Sequence, residues 1–554
     1  MKKFKLLSDF RSYIFAGTIL LFSLLFISFD DTDDFELAKN LDIYQTLLRE
    51  LRLYYVDEVH SQELINTSIN KMLASLDPYT VYYPESKIED FKFMTTGKYG
   101  GVGALIRKDT SGIIIEEVYK NYPAEKAGIR PGDIITAVEG VSVNTANTSD
   151  ISDLLKGVPG TDVHVKIYRP YTKETLKLIV KRQQIKIKNV PYSGKVNNET
   201  GYIKLSDFTQ SAYEEVKSAF IKLKEQNIKY LILDLRGNPG GLLNEAVDIV
   251  SLFVEKGTPV VSMKGKMTRW NQSMSTKKAP VDKDIPLIVL VNRNSASASE
   301  IVSGALQDLD RAVIVGERSF GKGLVQTTRA LSYNTKLKIT TAKYYIPSGR
   351  CIQALDYTHR NPDGSVGHIP DSLISEFKTK NGRTVYDGGG ILPDIINKSE
   401  YMNPLAQFLT QNFVIFDYAN KYTYEHDSIP ALDKFTFDDK EYADFINYVA
   451  SRDLKYQSNT DKQLQTLIET AKQEKYYDKI APELSKLQNT LKHDVREDLE
   501  YFKDDIKHIL SYEIIKRYYY RSGVFEYDSK HSSDIKKALE TFSDLGKYNR
   551  ILNK

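Results

Sequence analysis

The chain has 554 residues, which is too many for one hydrophobic core and predicts roughly three or four domains. Apolar residues make up 41% and charged residues 27%, as in ordinary globular proteins, and a net charge of +3 gives no indication of a nucleic-acid partner. The single cysteine, Cys351, excludes an internal disulfide and any metal or iron–sulfur site that is built on several cysteines.

The N-terminus carries the pattern of an export signal. Basic residues up to Arg11 precede an uncharged, apolar run at 12–29, and four aspartates follow it between positions 30 and 34. This charge order directs the following chain out of the cytoplasm. No small-x-small cleavage site is evident near Ser28, so residues 1–34 are predicted as an uncleaved membrane anchor rather than a cleaved signal. A buried helix of a soluble protein is the less favoured alternative.

Three regions of different periodicity follow. Apolar residues recur at helical spacing from Leu37 to about Met94, with a break at Asp77-Pro78. Short alternating strands, among them 163–168 and 175–180, occupy about 97–183. From 201 to about 394, strands at 229–235, 286–291 and 312–315 alternate with helices near 212–226, 243–254 and 298–309. Such alternation predicts a mainly parallel sheet, with an active site at the carboxyl ends of its strands.

Three loops of the α/β region contain unusual residues. The glycine loop, Asp234–Gly241, leaves the first of these strands, and its glycines allow backbone N–H groups to converge on an anion. The serine loop, Asn294–Glu300, enters a helix whose N-terminus favours a developing negative charge. The lysine loop, Gly316–Gln326, places Lys322 between two glycines. A serine hydroxyl needs a base, and a buried lysine with a lowered pKa can serve as one.

Each loop also has a plain structural interpretation. The glycine loop could be only a tight turn, Ser297 and Glu300 together match a helix capping box, and Lys322 could be a solvated surface lysine. No histidine lies in the three loops, so a Ser–His–Asp triad has no evident base. Apolar neighbours for Lys322 are expected in Phe320, Leu324 and Val325.

Together the loops resemble those of the C-terminal processing peptidases, the tail-specific protease family. The resemblance extends from about Leu41 to Asp394 and rests on Ser-Ala-Ser-Ala-Ser-Glu, on Gly-Glu-x-x-Phe-Gly-Lys-Gly-x-Val-Gln and on Gly-Gly-Ile-Leu-Pro-Asp at 389–394. It implies Ser297 as the nucleophile, Lys322 as the general base and Gln326 as the residue that orients the lysine. It also implies an oxyanion hole from backbone amides of Ala298, Gly240 and Gly241. No metal or other cofactor is expected.

A second pair of segments resembles a PDZ domain. One is Tyr99–Ile106, whose glycine-rich start is similar to a carboxylate-binding loop, and the other is Pro123–Ile135. A terminal carboxylate would bind the free amides, and the peptide would add a strand to the domain. The residues expected to contact it are Gly100, Gly101, Val102, Gly103, Ala104 and Leu105. Any small β-domain with a glycine-rich turn is the alternative.

The resemblance implies a multidomain α/β protein with a crotonase-like peptidase core of family S41 and an inserted PDZ domain. The predicted regions are an anchor at 1–34, helices at 35–95, PDZ at 96–185, the peptidase core at 186–400 and a helical extension at 401–554. The expected substrates are exported or envelope proteins with free C-termini, cleaved in the periplasm or at the periplasmic face of the inner membrane. A non-catalytic PDZ scaffold and a signal-sensing regulator are the competing functions. Homo-oligomerisation, PDZ gating and the role of the extension stay open.

Overall fold

The computed structural model describes residues 31–143, 147–361, 363–397, 402–452, 454, 456–490 and 495–554. The chain divides into two compact units, with the boundary between Tyr82 and Tyr83. The apolar run at 12–29, which was predicted as the anchor, lies outside the described residues. Within the described ranges, no helix combines the length and the apolar character that are needed to cross a bilayer.

The first unit is helical, as its periodicity predicts. It contains α1 (Asp31–Tyr54) and α2 (Ser61–Ala74). The carboxylate of Asp77 accepts the amides of Tyr79 and Thr80, both at 2.8 Å, so the break predicted at Asp77-Pro78 is a turn that leads into β1 (Val81–Tyr83). The helical pattern predicted from Leu37 to Met94 is thus divided at Asp77-Pro78, as expected, and it resumes only after β1.

The second unit begins with α3 (Ile88–Thr96) and continues into a small β-domain. Its main sheet has the order β3-β4-β5-β7-β8, with β6 beside β5, and β2 pairs separately with β9. The elements are β2 (Lys98–Gly101), β3 (Ala104–Asp109), β4 (Gly112–Val118), α4 (Pro123–Lys126), β5 (Ile134–Val138), β6 (Val141–Ser142), α5 (Thr148–Leu155), β7 (Asp162–Arg169), β8 (Glu174–Lys181) and β9 (Gln183–Lys186). Because β3 lies at the edge of its sheet, its outer side is available for a further strand.

The α/β region is built on a mixed six-stranded sheet of order β10-β11-β12-β15-β16-β23. Strand β10 runs antiparallel to β11, and the other neighbours are parallel. Its elements are β10 (Tyr192–Lys195), β11 (Thr200–Lys204), α6 (Ala212–Glu225), β12 (Tyr230–Asp234), α7 (Leu243–Val250), β15 (Leu287–Val291), α8 (Ala298–Asp308), β16 (Val313–Gly316) and β23 (Ile395–Ile396). The predicted strands and helices are present with small changes of boundary.

Alternate residues of these strands bury opposite faces of the sheet. On β12, Leu231 and Leu233 belong to the core that includes apolar residues of α6, α7 and α8. Ile232 points to the other face, where it belongs to a core with Phe542 and Tyr548. The chain's last helices therefore form the second outer layer of the α/β region. This assigns a structural role to part of the extension, which the sequence left open.

Antiparallel strands and further helices complete the second unit. The strands are β13 (Pro259–Gly265), β14 (Gln272–Ser275), β17 (Leu324–Ala330), β18 (Lys336–Tyr345), β19 (Leu355–Arg360), β20 (Val366–His368), β21 (Glu376–Lys378) and β22 (Thr384–Tyr386). The helices are α9 (Pro404–Gln411), α10 (Val414–Glu425), α11 (Asp439–Ala450), α12 (Asn459–Gln473), α13 (Tyr477–Thr490), α14 (Val495–Tyr501), α15 (Lys503–His531), α16 (Ser533–Ser543) and α17 (Leu545–Ile551). Helix α15 is kinked at Tyr520, where φ is 59°.

Candidate active site

Ser297 lies at a sharp bend between β15 and α8. Its φ and ψ angles are 54° and −112°, a conformation that non-glycine residues rarely adopt. Such strain persists only where the surrounding structure enforces it, and it is common at functional sites. Ser297 is partly accessible, whereas the neighbouring residues Ser295 and Ser299 are fully buried.

Hydrogen bonds separate the three serines of the loop by role. The hydroxyl of Ser295 donates to the carbonyl of Leu235 at 2.8 Å, and the hydroxyl of Ser299 donates to the carbonyl of Asn238 at 2.9 Å. Both hydroxyls therefore hold the serine loop to the glycine loop. Of the three serines, Ser297 alone lies at the accessible bend.

The glycine loop and the serine loop touch through their backbones. The amide of Ala296 donates to the carbonyl of Asn238 at 3.0 Å. A Cβ atom on Gly240 would lie 2.9 Å from the Cβ of Ser297 and 2.9 Å from the amide nitrogen of Ala298. Only glycine permits this approach, and its φ of +100° also favours glycine. Gly240 is therefore needed for contact with the serine loop.

The three amides predicted for the oxyanion hole are not equivalent. The amide of Gly240 donates to the side-chain oxygen of Asn238 at 2.8 Å and is already used. Within the described part of the chain, no acceptor is found for the amides of Gly241 and Ala298. These two N–H groups lie at the wall of the cavity that Ser297 lines.

Glu300 connects the serine loop to the lysine loop. Its fully buried carboxylate accepts the amide of Ser297 at 2.8 Å and, from the lysine loop, the amides of Gly321 at 2.7 Å and Lys322 at 2.9 Å. The hydroxyl of Ser319 donates to it as well, at 2.6 Å. Burial raises the pKa of Glu300 to about 7, although the four hydrogen bonds act in the opposite direction. The capping-box interpretation is thus correct but incomplete, because the cap also holds the lysine loop.

The lysine loop brings Lys322 and Gln326 to the same cavity. The hydroxyl of Tyr344 contacts the carbonyl of Ser297 at 3.2 Å and also that of Lys322, so it bridges the two loops. The amide nitrogen of Gln326 donates to the carbonyl of Leu324 and to the hydroxyl of Thr340, both at 3.2 Å. These contacts anchor the Gln326 side chain beside the strand that follows Lys322.

The apolar surroundings expected for Lys322 are only partly present. Leu324 is buried and Val325 packs against the core. Phe320, in contrast, is 47% exposed, and its amide donates to the carbonyl of Ser295 at 3.0 Å. Phe320 thus contacts the serine loop through its backbone, and its place beside Lys322 stays a prediction.

One cavity of about 550 Å³ contains the residues predicted from all three loops. It is lined by Ser297, Ala298, Lys322, Gln326, Gly240 and Gly241. Apolar side chains of α3, namely Phe91, Phe93 and Met94, form part of its wall. Asp207 also lines it, and burial raises the pKa of its carboxyl. A chain that binds here can reach a serine hydroxyl, a lysine and two free amides at once.

A second, larger cavity of about 790 Å³ lies between β3 and α5. The predicted peptide-binding residues Gly100, Val102, Ala104 and Leu105 line it, together with Leu155 and Lys156 at the end of α5. Gly101 is the last residue of β2 and Gly103, with a φ of +79°, completes the turn into β3. Phe93 of α3 lines this cavity as well as the one at Ser297, so α3 separates the two.

Several residues of the site were not found from the sequence. Tyr344 lies in an ordinary strand pattern, Asp207 follows a buried strand without any motif, and Asn238 was noted only as part of the glycine loop. Their roles depend on contacts between segments that are far apart in the chain. The spacing of Ser297 and Glu300 predicts a helix capping box, but it does not predict that the Glu300 carboxylate also accepts amides of the lysine loop.

Three family models match parts of the chain. Residues 199–366 match peptidase family S41, residues 114–169 match a PDZ domain, and residues 405–542 match the C-terminal helical domain of probable PDZ-proteases. The matched ranges lie in the α/β region, in the small β-domain and in the helices from α9 to α16, respectively.

The chain is also similar to named proteins. A carboxy-terminal-processing protease of Bartonella bacilliformis is 36% identical over 356 residues, which cover 63% of this chain and 81% of the relative. A probable CtpA-like serine protease of Staphylococcus epidermidis is 36% identical over 353 residues, covering 64% of this chain and 67% of the relative. Among solved structures, the photosystem II D1 C-terminal processing protease is 29% identical and covers 64% of this chain and 86% of its own, with a TM-score of 0.36.

Proposed function

Since the chain belongs to the PDZ-containing C-terminal processing peptidases, a family of serine peptidases, we propose that it hydrolyses exported proteins near their C-termini with a Ser297–Lys322 pair. The observation that carries the proposal is the single cavity that Ser297 and Lys322 both line. The bend at Ser297 supports the nucleophile's role, because it keeps this hydroxyl apart from the two structural hydroxyls.

The proposed reaction follows from the groups around the bend. Neutral Lys322 accepts the proton of Ser297 as the serine oxygen attacks the scissile carbonyl. The amides of Gly241 and Ala298 stabilise the oxyanion, since the amide of Gly240 is engaged with Asn238. Gln326 orients the lysine, and the protonated Lys322 donates its proton to the leaving amine as the scissile C–N bond breaks and the acyl-enzyme forms. Lys322 then takes a proton from a water that attacks the ester, and returns it to Ser297 as the carboxylate product leaves. The peptidase core is proposed to have a crotonase-like arrangement.

Substrate selection is proposed to begin at the small β-domain. A free C-terminal carboxylate would bind the amides of the loop at 100–103, and the preceding residues would add a strand beside β3. The apolar residues Val102, Ala104 and Leu155 line the groove and suit an apolar terminal side chain. The non-catalytic scaffold, in contrast, gives no reason for Ser297, Lys322 and Gln326 to share a cavity.

We further propose that residues 1–34 attach the protein to the inner membrane on its periplasmic side.

A separate proposal concerns α1, which would pair with α1 of a second copy of the chain. On α1, Leu37, Leu41 and Tyr44 follow one another at spacings of four and three residues, as in a heptad, and all three are exposed. Pairing would bury this stripe. Light scattering of the chain from residue 31 onward should give twice the monomer mass, and Leu41→Glu should give the monomer mass. A wild-type monomer at micromolar concentration would refute the pairing.

The test of the catalytic proposal is covalent labelling of the serine. A fluorophosphonate probe should label the wild-type protein at Ser297, as located by peptide mass mapping, and Ser297→Ala should not be labelled. Ser295→Ala and Ser299→Ala are matched controls in the same loop and should remain labelled, with lower stability. Labelling at another serine, or equal labelling of Ser297→Ala, would overturn the assignment.

A further inference from the structure

Arg236 joins the glycine loop to the C-terminal helices. Its guanidinium contacts Asp234 of β12 at 2.7 Å, Asp528 of α15 at 2.6 Å and Asp534 of α16 at 2.9 Å. The hydroxyl of Ser532 accepts a further hydrogen bond from it at 2.7 Å. The planar guanidinium can serve several carboxylates at fixed angles, which a lysine ammonium does not do.

The position of Arg236 in the chain makes these contacts relevant to the site. Arg236 is two residues before Asn238, whose carbonyl accepts the amide of Ala296 and the hydroxyl of Ser299. The next residue, Gly237, donates its amide to the side chain of Asn292 at 2.9 Å. A shift of Arg236 is therefore transmitted to the backbone against which Ser297 is held.

We propose that Asp528 and Asp534 are positioning residues of the peptidase site, which hold the glycine loop in its oxyanion-binding conformation through Arg236. The inference rests on the proposed function, because it concerns the same loop. It gives the helical extension a catalytic purpose in addition to covering the sheet.

The local charges explain why both carboxylates are needed. Lys204 is also buried here, with its ammonium 3.2 Å from Asp234 and in contact with the backbone carbonyl of Arg236. Asp234 alone thus faces two cations. Asp528 and Asp534 supply the remaining negative charge. A hydrogen bond holds each carboxylate in place: the hydroxyl of Tyr512 donates to Asp528 at 2.5 Å, and the side-chain amide of Asn397 donates to Asp534 at 2.7 Å. Without them, Arg236 would be drawn toward solvent and the loop with it.

The experiment compares the full wild-type chain with Asp534→Asn and with the double variant Asp528→Asn/Asp534→Asn. The fluorophosphonate labelling rate at Ser297 and kcat for a quenched peptide should fall roughly 10- to 100-fold, somewhat less than the roughly 10²- to 10³-fold loss when an oxyanion donor is removed outright, while KM changes little. Amide hydrogen exchange at Gly237 and Gly240, whose amides donate to Asn292 and Asn238, should become at least about tenfold faster. Asp534→Glu, which keeps the charge, should recover most of the labelling rate.

The matched control is Glu513→Gln. Glu513 is another carboxylate of α15, paired with Arg517 at 2.8 Å and without a contact to the glycine loop among the described residues. This variant should leave kcat, the labelling rate and exchange at the glycine loop within about twofold of wild type. A loss of labelling equal to that of Asp534→Asn would mean that general destabilisation, not positioning, explains the effect.

The two proposals fail in different ways. If wild-type Ser297 is not labelled, the catalytic assignment fails, and hydrogen exchange still tests whether the carboxylates hold the loop. If the wild type is labelled and the double variant keeps its labelling rate and its exchange pattern, the positioning role is refuted. If the double variant does not fold, Asp534→Asn and Asp534→Glu decide by the same two measurements.

Discussion

At the scale of single residues, the site depends on a few polar groups whose surroundings differ sharply. Ser297 is accessible at its bend, whereas the hydroxyls of Ser295 and Ser299 donate hydrogen bonds to backbone carbonyls of the glycine loop. Glu300 is buried because four donors from two loops satisfy its carboxylate. Serine and glutamate side chains thus serve as proposed nucleophile, as loop anchors and as a link between two loops within a short stretch of chain.

Lys322→Arg tests the proposed base. Arginine keeps the positive charge but does not release its proton near neutral pH, so it cannot accept one from Ser297. We expect kcat/KM to fall roughly 10²- to 10⁴-fold, as far as in Lys322→Ala. The exposed Lys343 on β18 offers a matched control, and Lys343→Arg should stay within about twofold of wild type. Near-native turnover of Lys322→Arg would place the base elsewhere.

Glu300 predicts a pH dependence of stability. Because the pKa of Glu300 is raised from 4.5 to about 7, the folded protein holds a proton that the unfolded chain releases. This contribution to stability is complete below pH 4.5 and is lost as the pH rises to about 7, a change of roughly 3 kcal/mol. Glu300→Gln cannot ionise and should lack this slope.

The measurement is urea unfolding of both proteins at several pH values between 4.5 and 8. The free energy of unfolding of wild type minus that of Glu300→Gln should decrease up to about pH 7 and then become constant. Two parallel curves across the whole range would contradict the raised pKa.

At the scale of elements, strand–loop–helix junctions bring the chemistry together. The ends of β12, β15 and β16 lie side by side in one sheet, so the glycine, serine and lysine loops that follow them meet at one edge. In the small β-domain, the edge strand β3 and helix α5 leave a groove between them. Helix α3, through Phe93, forms part of the wall of both the groove beside β3 and the cavity at Ser297.

The groove beside β3 predicts a preference for a free C-terminus. We expect a peptide that ends in an apolar residue and a free carboxylate to bind the Ser297→Ala protein roughly tenfold more tightly than the same peptide with an amidated end. The reason is that amidation removes the charge that strengthens hydrogen bonds from the loop amides. Fluorescence anisotropy measures both affinities without turnover.

The control for this comparison is acetylation at the peptide's other end, which should leave the affinity unchanged. Equal affinities for the acid and the amide would refute carboxylate recognition. Tighter binding of the amidated peptide would indicate that the groove binds internal segments of a chain instead of its C-terminus.

At the scale of the whole molecule, the C-terminal helices complete the α/β region. Phe542 of α16 stacks on Tyr230 of β12 with ring centroids 4.8 Å apart, and the Tyr548 hydroxyl donates to the carbonyl of Leu287 at 3.1 Å. The same extension contacts the small β-domain, where the Arg107 guanidinium lies 3.4 Å from the ring centre of Phe413. Within the second unit, the extension therefore connects the groove-bearing domain to the catalytic sheet.

Phe542→Ala tests this structural role. Phe542 is only 3% exposed, and truncation of a buried phenylalanine creates a cavity, so we expect a loss of about 3–5 kcal/mol in the free energy of unfolding. Tyr501→Ala, at a ring that is 82% exposed, should change it by less than about 0.5 kcal/mol. Chemical denaturation of both variants provides the measurement. Equal stability of the two variants would mean that the helix layer is not part of the sheet's core.

The sequence by itself determined the elements and the chemistry that each loop could carry. Strand and helix periodicity and glycine content are local properties, and the resemblance of the serine and lysine loops to the peptidase family indicated Ser297, Lys322 and Gln326 as candidates. Only the tertiary structure decided which groups meet. The hydroxyl of Tyr344 reaches the carbonyl of Ser297, and Arg236 contacts Asp528 and Asp534. These contacts join segments that are far apart in the chain. Local patterns do not encode such contacts, because burial and hydrogen bonding between distant segments are settled only when the sheet, its loops and the covering helices pack together.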